Sequence, residues 1–132
     1  MSAGMFAAVA AGGALGAMVR YAVTLGVGPG VFGLPGPLAT LMVNVAGSAM
    51  MGVVAGLVAA GVAIPEAWGG FVAVGFLGAL TTFSSFALDA GSLMARQGLS
   101  ISLLYVLLSV TLSLLAFFAV QGLVTGLLAR VT

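Results

Sequence analysis

The stretch GALTTFSSF, residues 78–86, sets four hydroxyls and two phenylalanines side by side in a chain that otherwise reads as hydrocarbon. Apolar residues crowd up to it from the N-terminal side, as GGFVAVGFL over residues 69–77. In lipid every backbone N–H and C=O must find a partner within the protein. Gly78 removes a side chain, and the hydroxyls of LTTFSS offer the backbone alternative hydrogen bonds, so the segment predicts a break in a membrane-spanning helix. Non-helical backbone at that depth is tolerated only where it is buried in protein or lines a cavity. A break also frees carbonyl oxygens, which coordinate hard cations such as Na⁺. In an antiparallel pair of copies, two breaks would meet near the symmetry axis and share one ion.

The rest of the chain supplies the membrane. It has 132 residues, 63% hydrophobic and 4% charged, with a mean hydropathy of +1.38. A soluble globular domain carries roughly 25% charged residues, so the composition predicts an all-α integral membrane protein. The charges are Arg20, Glu66, Asp89, Arg96 and Arg130, and there is no Lys, His or Cys. Without Cys or His there are no disulfides, no thiolate or imidazole metal site and no common nucleophile–base pair, which argues against an enzyme. Three arginines without a basic patch argue against nucleic-acid binding. The N-terminus MSAGMFAAVAAGG lacks the positive region of a signal peptide and reads as the start of a retained first span.

A span needs about 20 mostly apolar residues. Four windows qualify, at about residues 5–27, 37–62, 68–94 and 100–128, and together they make one four-span domain. GVGPGVFGLPGP closes the first and IPEAW the second, because Gly and Pro break helices. Trp68 falls where an interfacial aromatic is expected. Even spacing puts both termini on one side with Glu66 and Arg130, and Arg96 on the other with Arg20 leaning towards it. Only Lys and Arg vote for the cytoplasmic side, and these votes are so balanced that insertion both ways up is permitted. Four helices leave little room for an aqueous bore, so a pathway needs a second copy. Ala8, Gly12, Gly16 and Arg20, and likewise Ser48, Gly52 and Gly56, recur at steps of four. Such faces suit close helix approach, either between copies or inside the bundle.

Polar side chains at mid-span face protein or a water-filled path. Thr40, Asn44 and Ser48 align on the second helix; Tyr105, Ser109 and Ser113, with Gln121 beyond, align on the fourth. On the third, Thr82, Ser85, Phe86 and Asp89 share a face, with Phe83 beside Phe86. A lone hydroxyl commonly bonds back to its own helix, which accounts for Ser102 or Thr111. It does not account for Asn44, whose amide has more donors and acceptors than one turn can satisfy. The stripes hold donors but no Lys or His, and with one Arg near their end they suit a small anion; a cation path would more often show rings of Asp or Glu. Phenylalanine edges carry partial positive charge and meet an anion weakly, although spacing alone favours Phe83 and Phe86 as simple packing.

GGALGAMVRY (12–21), LATLMVNVAGS (38–48) and GALTTFSSFALD (78–89), in this order, resemble the Fluc/CrcB family of fluoride channels over all four spans. The resemblance implies a passive, fluoride-selective channel in the cell inner (plasma) membrane. It implies an antiparallel dual-topology homodimer with two fluoride pores and no other protein partner. It implies a structural Na⁺ at the dimer centre, held by backbone carbonyls that match Gly78 and Thr81. The pore phenylalanines match Phe83 and Phe86, and the pore asparagine matches Asn44. The polar residues of the fourth helix match Tyr105, Ser109 and Ser113, the hydroxyls after the break match Thr82 and Ser85, and the first-helix arginine matches Arg20. Asp89 stands where the family usually has Glu, so its reach at the pore mouth is shorter; Ala79 stands where the family usually has a second Gly. Fluoride would give up its water to Asn44 and the hydroxyls, and Arg20 would concentrate anions at a vestibule.

Two other classes compete. Small multidrug-resistance-like exporters are also short, four-span and dual-topology, but they depend on an acid in the first helix, where this chain has Arg20. Their proton coupling would make flux follow a pH gradient. A structural subunit would use the small-residue faces but leave Asn44 and the hydroxyl stripes unexplained.

Overall fold

The computed structural model describes residues 3–27 and 35–130. They form helices α1 (Ala3–Val27), α2 (Pro35–Ala59), α3 (Glu66–Gly69), a π-helix (Gly70–Leu77), α4 (Gly78–Leu80), α5 (Phe83–Gln97) and α6 (Leu99–Leu128). Four helical segments, the third running from Glu66 to Gln97, are long and apolar enough to cross a membrane. Most of the Gly- and Pro-rich stretch expected to close the first span lies outside the described residues. The first turn of α2 holds Pro35 and Pro37, where a missing N–H costs no helical bond. α2 stops at Ala59, short of residue 62, because Gly61 turns the chain at φ 79°. There the Val62 N–H reaches the Leu57 carbonyl and the Gly61 N–H reaches Val58, so two orphan carbonyls are satisfied as the helix ends. Gly98 joins α5 to α6 directly at φ 91° and ψ 171°, a region essentially confined to glycine.

Packing between spans is backbone against backbone. A Cβ on Gly12 would strike the Phe71 carbonyl, and one on Gly16 the Phe76 carbonyl. From the facing side, a Cβ on Gly75 would lie 2.6 Å from the Val9 carbonyl. A Cβ on Gly52 would lie 2.5 Å from the Phe117 carbonyl, and one on Gly56 2.7 Å from Val124. The small-residue faces of α1 and α2 are thus used inside the bundle, α1 against the π-helix and α2 against α6. Ser102 does not bond back to its own helix as expected; it donates to the Ala90 carbonyl of α5 at 2.8 Å. α6 faces α5 there, and the crossing bond ties the two.

The π-helix is the feature the sequence did not announce. Such stretches usually occur as a single turn, whereas here the winding covers all of GFVAVGFL. It carries Gly70 and Gly75 against α1 and delivers Leu77, 1% exposed, beside Val43 and Leu80 in the buried cluster ahead of the break. Elsewhere large apolar side chains point outward, among them Phe6, Met18, Leu88, Leu107 and Phe118. At most 28% of the residues in any span's most apolar window are buried. The protomer therefore presents its apolar surface to lipid or to another chain rather than to a core of its own.

Candidate functional site

The break falls at Thr81 and Thr82, which are extended with ψ 156° and ψ 124°. Thr82 begins α5 as its N-cap. Its Oγ1 accepts the Ser85 N–H at 3.2 Å and is bonded to Ser84 Oγ and Ser85 Oγ at 3.3 and 3.2 Å. Asn44, across on α2, then takes both backbone groups of Thr82. The Thr82 N–H donates to Asn44 Oδ1 at 2.8 Å, and Asn44 Nδ2 donates to the Thr82 carbonyl at 3.1 Å. One Asn44 N–H remains available. In a continuous helix the Thr82 N–H would bond the Gly78 carbonyl and the Ser85 N–H the Thr81 carbonyl. Both donors are engaged elsewhere, so the carbonyls of Gly78 and Thr81 are released from the helical ladder. Close packing reinforces the break: Gly47 sits against Thr81 Cγ2 with no room for a Cβ. Thr82→Ala removes the cap, and thermal unfolding in detergent should show a loss of about 0.5–2 kcal/mol.

These elements enclose two cavities. The larger, about 480 Å³, is lined by Asn44, Ser48, Gly78, Thr81, Thr82, Phe83, Phe86, Ser109 and Ser113 among others. It gathers residues of α2, α5 and α6 that the sequence could associate only as separate stripes. The smaller, about 180 Å³, is lined by Arg20, Tyr21, Thr24, Thr40, Thr82 and Ser85 among others. Thr82 lines both. The predicted stripe of the third span therefore divides: Phe83 and Phe86 face the larger cavity, and Ser85 faces the smaller one with Arg20.

Phe83 is 80% exposed, so little of its ring is covered by its own chain. Its ring lies 5.4 Å from that of Phe86, which lies 5.6 Å from Tyr105. Tyr105 and Asp89 line neither cavity. Asp89 accepts the Thr40 hydroxyl at 2.6 Å and rests against Gly36, where a Cβ would strike its carboxylate. Thr40 and Gly36 are participants that sequence reasoning passed over as a site; the spacing of Thr40 from Asn44 carried the signal, whereas Gly36 had none. Tyr105 and Ser109 are 8% and 4% exposed, and both hydroxyl oxygens lack a hydrogen-bond partner among the described residues. Ser109, Asp89 and Thr40 are the polar groups around the Tyr105 hydroxyl and act on it electrostatically, the Asp89 carboxylate among them. A buried unsatisfied hydroxyl costs about 1–3 kcal/mol.

The Ser109 hydroxyl, without a partner among the described residues, and the Asn44 amide share the wall of the larger cavity with Thr82 and Phe83 at the positive end of the α5 helix dipole, and the Tyr105 ring lies beside Phe86 of the same wall. Such a set stabilises a small anion. No group of three or more His, Cys, Asp or Glu side chains stands together among the described residues. The groups suited to a hard cation are the released carbonyls of Gly78 and Thr81, two residues on the wall of the larger cavity.

The profile of the family described as "CrcB-like protein, Camphor Resistance (CrcB)" matches residues 7–123. "Fluoride-specific ion channel FluC" of Rhodospirillum centenum is 45% identical over 115 residues, covering 87% of this chain and 90% of that one. The protein of the same name from Nitrobacter winogradskyi is 44% identical over 112 residues, covering 85% and 88%. "Fluoride-specific ion channel FluC 2" of Nitrobacter hamburgensis is 40% identical over 116 residues, covering 88% and 93%.

Proposed function

We propose, from the premise that the chain belongs to the CrcB family, that it is a passive fluoride-selective channel that lets fluoride leave the cell across the inner membrane. It is not an enzyme, and its named relatives are ion channels. The observation that carries the fluoride reading is the pair of buried hydroxyls, Tyr105 and Ser109, without a partner among the described residues, by the Phe83–Phe86 rings. Fluoride is small and strongly hydrated, so a path through lipid must replace its water. Arg20 draws anions into the smaller cavity, where the Ser85 hydroxyl, which accepts from Thr82 and keeps its own proton to give, begins the exchange. Ser109, Tyr105 and the spare Asn44 N–H continue it, and the phenylalanine edges exclude water at the narrow step. Asp89 keeps its carboxylate on Thr40, out of that step.

The active form is an antiparallel, dual-topology homodimer with two such paths, formed by spans that insert both ways up. The exposed Phe83 and the open larger cavity support a second copy closing this face. The cation at the dimer centre is Na⁺, held by the carbonyls of Gly78 and Thr81, and it supplies positive charge between the two paths. Proteoliposomes containing only this protein test the reading. Fluoride efflux under a potassium-valinomycin potential should be rapid, with chloride efflux at the rate of empty liposomes. Equal chloride efflux removes the selectivity, and fluoride flux that requires a pH gradient replaces the channel with a proton-coupled transporter.

A further inference from the structure

We propose that Asn44 is the positioning residue that couples the anion path to the cation site, by holding the Thr82 N–H away from the Gly78 carbonyl. The inference rests on the reading of Gly78 and Thr81 as the cation ligands. Asn44 reads from the sequence as a donor lining a path, yet half of its hydrogen-bonding capacity, one donor and one acceptor, is spent on one residue. Its Oδ1 takes the N–H that a continuous helix would give to Gly78, and its Nδ2 takes the Thr82 carbonyl. The two bonds join α2 to the break across 38 residues of sequence. They impose the extended conformation of Thr82 from outside the third span. Gly78 contributes permissiveness, and the Thr82 cap satisfies the α5 end, but neither alone occupies the Thr82 N–H. Without Asn44 the acceptor that helical winding offers this N–H is the carbonyl of Gly78. Re-forming this bond would close the break by one link and withdraw a cation ligand. A single side chain thereby places one N–H at the anion cavity and keeps one carbonyl open to the cation.

Two variants of similar size separate the two halves of this role. Asn44→Asp keeps an acceptor for the Thr82 N–H but brings a repelling charge to the path. Asn44→Leu keeps neither bond. The readout is the melting temperature of the purified protein in detergent, measured in sodium and in N-methylglucamine, with fluoride flux recorded alongside. The wild type should melt higher in sodium. Asn44→Asp should keep that sodium increment while losing fluoride flux, and Asn44→Leu should lose both. Should Asn44→Leu yield no folded protein, Asn44→Ala is read in its place. A full sodium increment in the Leu or Ala variant overturns the coupling while leaving the cation reading standing. Loss of the increment in Asn44→Asp also overturns it. A wild type that melts identically in both cations overturns the cation reading, and the coupling with it.

Discussion

The double variant Tyr105→Phe, Ser109→Ala should pass fluoride at least about tenfold more slowly than the wild type, a change of roughly 1.4 kcal/mol in barrier height. Its thermal unfolding in detergent should occur no earlier. The two outcomes come from the same fact. Both hydroxyls are buried and without a partner among the described residues. Each is therefore a burden on stability of about 1–3 kcal/mol until something accepts its hydrogen bond. Deleting them relieves the fold and strips the path of donors. Ordinary core hydroxyls behave the other way: Ser102, bonded to Ala90, should lose stability on change to Ala and leave flux alone. Efflux measured with a fluoride electrode, beside a melting curve, checks both halves. Full flux in the double variant would take these hydroxyls out of the path.

Gly16→Val should abolish recovery of folded protein. A Cβ at Gly16 would overlap the Phe76 carbonyl and approach the Leu80 N–H to 3.0 Å. Overpacking an interior costs about 1–3 kcal/mol when side chains can yield, but here the obstacles are backbone atoms. The displacement would pass directly to Leu80 and the break at Thr81, so no partial function is expected. Gly13→Ala, three positions away on the same helix, is the control. A Cβ there meets nothing within 4 Å. Replacing a helical Gly by Ala favours the helix by up to about 1 kcal/mol. Size-exclusion profiles of the two variants should differ accordingly, with a monodisperse peak for Gly13→Ala only. A monodisperse, active Gly16→Val would show that α1 does not need this close approach to the π-helix.

Much of this protein was legible in its residues alone. Spans follow from composition and length, because lipid forces every backbone group into local hydrogen bonds. The position of the break at Thr81–Thr82 is signalled by neighbours along the chain: a glycine, a capping threonine and a serine three residues on. Asn44 announced itself as an amide that one helix turn could not satisfy. The π-helix was not legible, since GFVAVGFL carries the same apolar pattern whether wound with four or five residues to the bond. Nor was the use of Gly12, Gly16, Gly52 and Gly56, because a small residue states only that something comes close. Ser102 was misread as self-satisfied for the same reason: a hydroxyl does not declare which helix its acceptor belongs to.

The sequence by itself determined the membrane, the helices and the point where the third span is weakest, since each depends on a residue and those within a few positions of it. Tertiary structure alone decided which partners meet at that point. It put Asn44 on the backbone of Thr82, Asp89 on Thr40, and two hydroxyls of α6 in buried positions without an acceptor among the described residues. Those outcomes depend on how far apart helix axes lie and how each helix is rotated, which are set by glycine-to-backbone contacts summed over whole spans and by no single stretch of residues.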